Sequence, residues 1–241
     1  MNIDVCADHS EASAHACRVV VAALKARPTL VLGLPTGRTT VALYGALGGA
    51  GLDWSSARTF NLDEFAGLPP TDPGSFRAFM DTHLFSRVNL PPAQIGFLRG
   101  DADNEADECA RYERAIDESG GLDLLLLGLG ANGHIGFNEP GPALYAATHA
   151  VALHASTRQA NSDRFAGDAT RVPARALTMG MAQVLRARRV LTIASGAAKA
   201  GAVAAMARGP LTTSCPASWL QVHPDVTLVL DRASAAALGD T

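Results

Sequence analysis

Paired cysteines are the first thing this 241-residue chain lacks. Its four, Cys6, Cys17, Cys109 and Cys215, lie far apart and form no C-x-x-C. Metal-ligand spacing and a compact disulfide framework are therefore both unsupported, and free thiols in a reducing compartment are the expectation. A basic excess is missing too. The formal net charge is −3, which is not the electrostatic footprint of a nucleic-acid binder. The densest basic cluster, Arg186, Arg188 and Arg189, reads as a solvated helix end before the apolar run VLTIAS. No apolar run approaches the ~18 residues of a membrane span. The opening MNIDVCADHSEASAH carries acids and histidines but no apolar signal-peptide core. The expectation is a cytoplasmic protein that engages neither nucleic acid nor membrane. Linker-like stretches and internal repeats are absent as well, so residues 1–241 read as one domain.

What is present is ordinary globular composition, 48% hydrophobic and 18% charged, in a regular rhythm. NIDVC reads as a strand, followed by a helix capped at Asp8 or Ser10 and running to Ala26. Thr29 to Leu34 (TLVLGL) is a strand, PTGRT a turn and TVALYGAL a helix. Ala57 to Leu62 (ARTFNL) is a strand, SFRAFMDTHLFSRV a helix and IGFL a short strand. EADECARYERAIDE is a helix with Cys109, Tyr112 and Ile116 near one face. LDLLLLGL is the most apolar strand, AVAL a further strand candidate, and VLTIAS, AAKAGAVAAMA and DVTLVL repeat strand, helix, strand. Uniformly apolar strands alternating with helices predict an α/β fold: a mostly parallel, Rossmann-like sheet with helices on both faces. In such sheets ligands bind beyond the carboxyl ends of the strands. The residues to watch are therefore Pro35 to Thr39, Asp63 and Glu64, Gly128 to Glu139, and Ser195, Gly196 and Lys199.

The stretch from Leu122 to Pro140, LDLLLLGLGANGHIGFNEP, contains G-x-G-x-x-G after a strand, the fingerprint of a dinucleotide site. Two further requirements fail. Pro140 and Pro142, with Gly136 and Gly141, oppose the helix whose N-terminus would hold a pyrophosphate. The acid expected about 20 residues on for the ribose is also missing, since no Asp or Glu lies between Glu139 and Asp163. Instead the loop brings His134 close to Asn132 and Glu139, a proton-shuttling ring beside groups able to fix its tautomer. A purely structural histidine remains the other reading of that loop.

The other loops offer matching chemistry. PTGRTT is a strand-to-helix turn suited to a single phosphate monoester, and it lacks the G-K-[ST] of a nucleotide P-loop; a plain turn is the alternative. Lys199, in SGAAKAG, supplies a point charge for phosphate at the same edge, or is simply a solvated helical lysine. In NLDEF strand alternation lets only one of Asp63 and Glu64 face a site. A carboxylate there, with its pKa raised by desolvation, suits a general base, while a turn cap is the competing use.

TFNLDEF, GLGANGHIGFNEP, TRQANS and WLQVHP, with GLPTG after the second strand, together resemble the glucosamine-6-phosphate deaminase (isomerase) family, in order and spacing from about Leu30 to Leu230. The resemblance implies ring opening of glucosamine 6-phosphate, aldose–ketose isomerisation and hydrolytic deamination to fructose 6-phosphate and ammonia, with no cofactor and no metal. By the same resemblance Asp63 is the enolising base and His134 the ring-opening histidine, supported by Asn132 and Glu139. Gly37, Thr39 and Lys199 match the phosphate site.

Three departures from the family pattern stand out. Asn132 replaces an Asp of some relatives and orients His134 without adding charge. Arg38 replaces a glycine, placing an extra cation beside the phosphate. TRQANSDRF leaves two arginines, Arg158 and Arg164, as alternative phosphate ligands. A galactosamine 6-phosphate substrate, a 6-phosphogluconolactonase-type hydrolase and a non-catalytic sugar-phosphate sensor are the competing readings. The lactonases share the glycine–histidine loop but not its FNEP continuation. The sensor is disfavoured because the second strand begins at Thr29, leaving little room for a helix-turn-helix. The expected partner is a small sugar phosphate, and monomer and homo-oligomer are both compatible with the sequence.

Overall fold

The computed structural model describes residues 1–239. Its strands are β1 (Asn2–Cys6), β2 (Val31–Leu34), β3 (Arg58–Asn61), β4 (Asp63–Phe65), β5 (Ile95–Gly96), β6 (Leu124–Gly128), β7 (His149–Ala152), β8 (Arg175–Thr178), β9 (Val190–Ala194) and β10 (Val226–Asp231). The helices are α1 (His9–Ala26), α2 (Val41–Gly48), α3 (Phe76–His83), α4 (Glu105–Glu118), α5 (Ala155–Ala160), α6 (Met181–Arg186), α7 (Ala200–Arg208) and α8 (Arg232–Ala235). Seven strands form one sheet in the order β1-β10-β9-β6-β2-β3-β5, every pair of it parallel. The α/β class with a parallel sheet stands as expected.

Apolar runs in the central strands serve both faces. Leu124 and Leu126 of β6 join one hydrophobic cluster with α1 and α2, while Leu125 and Leu127 join another with α4, α6 and α7. That is the period-2 alternation of a strand buried on both sides. Local signals set the helix starts. Asp8 caps α1 by accepting from the Glu11 amide, and the Glu11 carboxylate answers the Ala7 amide, a reciprocal cap. Asn104 accepts from two first-turn amides of α4, and Cys109, Tyr112 and Ile116 form its buried face.

The sequence did not suggest a second sheet. β4, β8 and β7 form an antiparallel ribbon, with Asp63 opposite Thr178 and Glu64 opposite Leu177. The strand read over Ala57–Leu62 is β3, and a second, unexpected strand follows it: the chain leaves the parallel sheet after Asn61 and enters the ribbon at Asp63. The helix expected over residues 75–88 is shorter: α3 ends at His83 and a 3-10 turn, Phe85–Arg87, follows. No helix among the described residues is long and apolar enough to cross a membrane.

Candidate active site

Beyond the carboxyl ends of β2, β6 and β9 lies a cavity of about 510 Å³. Two of its walls are built alike. β2 and β9 each end in a loop that passes through a glycine, Gly37 or Gly196, into a 3-10 turn and then a helix. Thr36, Gly37, Arg38, Thr39, Ser195 and Lys199 line the cavity there. The Asp231 carboxylate fastens the second turn, accepting from the Ser195 hydroxyl and the Gly196 amide. Lys199 makes no ion pair among the described residues, and burial together with the nearby Arg38 charge holds its pKa below the usual lysine value. The Thr36 hydroxyl is buried without a partner. An unpaired ammonium and an unpaired hydroxyl at one end of a cavity suit a strongly hydrogen-bonding anion.

At the other end, the two adjacent acids divide their labour. Glu64 points away and accepts from the amides of Phe65, Phe76 and Arg77 at 2.8–2.9 Å, capping the start of α3. Asp63 faces the cavity, is 6% exposed, and its Oδ1 has no hydrogen-bond partner. Burial, with the Glu64 charge adding to it, pushes the Asp63 carboxyl up to about 8, against the opposing pull of Arg164. Burial likewise raises Glu64 to about 7 despite its three amides. A carboxylate left without donors in a desolvated pocket is a strong proton acceptor.

His134 lines the same cavity. Asn132 Oδ1 accepts both the His134 backbone N–H, at 3.2 Å, and ring Nδ1, at 2.7 Å. An oxygen serving both contacts places the proton on Nδ1 and leaves Nε2 as the acceptor. Burial lowers the ring to about 4, with Lys199 and His154 contributing and Glu139 opposing, so the imidazole is neutral at physiological pH. Two glycines of the loop, Gly130 and Gly136, have a steric explanation. A Cβ on Gly130 would lie 2.3–2.5 Å from three His134 ring atoms, so this glycine makes room for the ring against the loop backbone. At Gly136 a Cβ would stand 3.0 Å from the Thr178 hydroxyl and 3.3 Å from Asp63 Oδ2. The loop thereby passes close beside the acid.

The remaining candidates separate. Glu139 is buried but does not line the cavity. It accepts from the His154 amide at 3.0 Å and from the Thr157 hydroxyl, and lies 3.3 Å from His154 Nδ1. Its influence on His134 is through charge. Arg158 is placed elsewhere: its guanidinium donates to the carbonyls of Val172, Ala169 and Thr170 at 3.1 Å, bracing that turn instead of reaching the cavity. Arg164 lies over the rings of Phe76 and Phe79, at 4.9 and 4.4 Å, close enough to lower Asp63 and Glu64, and it does not line the cavity. Arg38 lines the cavity and pairs with Asp163 at 3.0 Å. Sequence reasoning passed over Thr157 and His154, the first opening the TRQANS run and the second lying three residues before it, and it included Thr36 only as part of the Pro35–Thr39 loop.

The family model for glucosamine-6-phosphate isomerases and 6-phosphogluconolactonase matches residues 7–229. A glucosamine-6-phosphate deaminase of Geobacillus sp. strain WCH70 is 43% identical, covering 100% of this chain and 97% of that protein. One from Rhodopirellula baltica is 45% identical, over 99% and 96%. Among solved structures, a monomeric glucosamine-6-phosphate deaminase superposes with a TM-score of 0.94 at 39% identity, over 98% of this chain and 100% of that one. The 6-phosphogluconolactonase of Thermotoga maritima shares the fold, with a TM-score of 0.77 at 17% identity, over 96% and 99% of the two chains. By sequence along its length and by architecture, the chain belongs to the glucosamine-6-phosphate isomerase/6-phosphogluconolactonase family.

Proposed function

We propose that the protein is a glucosamine-6-phosphate deaminase. The observation that carries this reading is the unpaired, buried Asp63 carboxyl in the same cavity as a neutral, oriented His134 and an unpaired Lys199. Lys199, Arg38, the Thr36 and Thr39 hydroxyls and the amides of the Gly37 turn hold the phosphate. Fixing that remote group places the sugar carbons in register with the acids. His134, its Nδ1–H given to Asn132, takes the proton from the anomeric hydroxyl on Nε2 and delivers it to the ring oxygen. Asp63 then carries a proton from C2 to C1. The substrate ammonium at C2, arriving beside a carboxyl raised by burial, favours its ionised form, so the base is made ready by the group it acts next to. Water completes hydrolysis of the resulting imine to ketose and ammonia. The 38–45% identity to glucosamine-6-phosphate deaminases favours this over a lactonase, for which no free enolising carboxylate is required.

The test is ammonia and ketose 6-phosphate release from glucosamine 6-phosphate, with galactosamine 6-phosphate as the epimeric control. Turnover of the gluco epimer is expected. Folded protein that releases ammonia from neither sugar refutes the reading. His134→Gln is expected to block use of the cyclic sugar at ring opening, and turnover at the parent rate removes that role from His134.

A further inference from the structure

The Gly37 turn and residues of the segment from Ser156 to Asn161 line the cavity, and an ion pair ties Arg38 of the first to Asp163, two residues beyond the second. Arg38 NH1 meets Asp163 Oδ2 at 3.0 Å, with the two side chains 82% and 71% exposed. A single N–H from the guanidinium is engaged, so the rest of its fork is unused. Exposed pairs of this kind stabilise by only ~0.2–1 kcal/mol. A phosphate held by Lys199 offers the same guanidinium a doubly charged, multidentate acceptor, and charge-assisted bidentate contacts are markedly stronger.

From this geometry we infer that Asp163 is a built-in rival of the substrate phosphate for Arg38. This rests on the phosphate assignment proposed above. Arg38 is paired with Asp163. Phosphate binding exchanges that carboxylate for the ligand, and the exchange releases the Ser162–Phe165 turn from the Gly37 loop. Asp163 thereby lowers the affinity of the site for any anion, inorganic phosphate included, and so limits occupation by ions that bring no sugar to the acids at the other end. Arg38 is the cation that binds; Asp163 sets how much of its charge is on offer.

The experiment is calorimetric titration of the parent, Asp163→Asn, Arg38→Ala and the double variant with inorganic phosphate at low ionic strength. Phosphate is expected to bind the parent, and to bind Asp163→Asn about 1.5- to 5-fold more tightly, the fold-change matching the energy of an exposed pair. Arg38→Ala is expected to bind more weakly. In the Arg38→Ala background the gain from Asp163→Asn disappears, and it shrinks likewise in ~0.5 M salt as screening sets in. Unchanged or weaker phosphate binding by Asp163→Asn overturns the inference. So does a gain that survives without Arg38, because it would report plain repulsion of the anion. A parent protein that binds no phosphate overturns the phosphate assignment itself, and the inference with it.

Discussion

Asparagine at position 63 is expected to make the protein inactive and more stable at once, and the size of the gain can be worked out. The Asp63 carboxyl is held at about 8 against an ordinary value of 3.8. Its folded pKa lies above its unfolded one. The stability the neutral form contributes is therefore fully present below pH ~4 and lost as pH rises toward 8. Each pH unit is worth about 1.4 kcal/mol, which sets a ceiling of ~6 kcal/mol. The cavity's 510 Å³ admits water beside the carboxylate, so about half of that, ~3 kcal/mol, is the working figure. Asp63→Asn cannot ionise and avoids this loss. At 2–4 °C per kcal/mol for a chain of this size, its Tm exceeds the parent's by about 6–12 °C at pH 8, with the difference closing near pH 4. Turnover falls at least about a hundredfold, the usual loss of a general base. The assay is thermal unfolding of both proteins at pH 4.5, 6 and 8 beside ammonia release. A variant less stable than the parent at pH 8, or a Tm difference independent of pH, refutes the reasoning.

Four further substitutions probe the rest of the site. Asn132→Asp puts a charge 2.7 Å from His134 Nδ1 and raises the ring from about 4 by ~1–3 pH units; a ring still neutral at pH 4.5 by NMR titration contradicts the proposed contact. Gly130→Ala forces His134 off Asn132 and costs ~1–3 kcal/mol of stability through overpacking, with a large fall in kcat/KM, so parent-like turnover shows that the ring does not need this place. Arg158→Ala removes the donors to three carbonyls, lowering Tm by an amount equivalent to ~1–3 kcal/mol with little change in KM. Lys199→Ala raises KM about tenfold or more, and equal KM effects of the two would return Arg158 to the phosphate.

The parallel sheet is legible in the sequence because β2, β6, β9 and β10 are each apolar enough to be covered on both faces, a property carried locally. The loops that follow them are legible for the same reason: they start where the apolar run stops. The antiparallel ribbon is not. Asp63–Phe65 and Arg175–Thr178 are three and four residues long, too short for a period to register, and their pairing joins distant parts of the chain. The same holds for the arginines. Position in TRQANSDRF does not reveal that Arg158 turns to the 169–172 carbonyls or that Arg164 lies over Phe76 and Phe79, since those partners belong to other elements. Alternation did anticipate that only one of Asp63 and Glu64 faces the cavity. Alternation left open which one; the family resemblance pointed to Asp63, and in the structure Asp63 lines the cavity while Glu64 caps α3.

Asp231 ends β10, the last strand of the chain, and its carboxylate secures the Ser195–Gly196 turn from which Lys199 projects. During synthesis the chain therefore exposes Asp63, His134 and Lys199 before Asp231, which secures the Ser195–Gly196 turn, has left the ribosome. The turn that carries Lys199 is thus fastened only when β10 takes its place between β1 and β9.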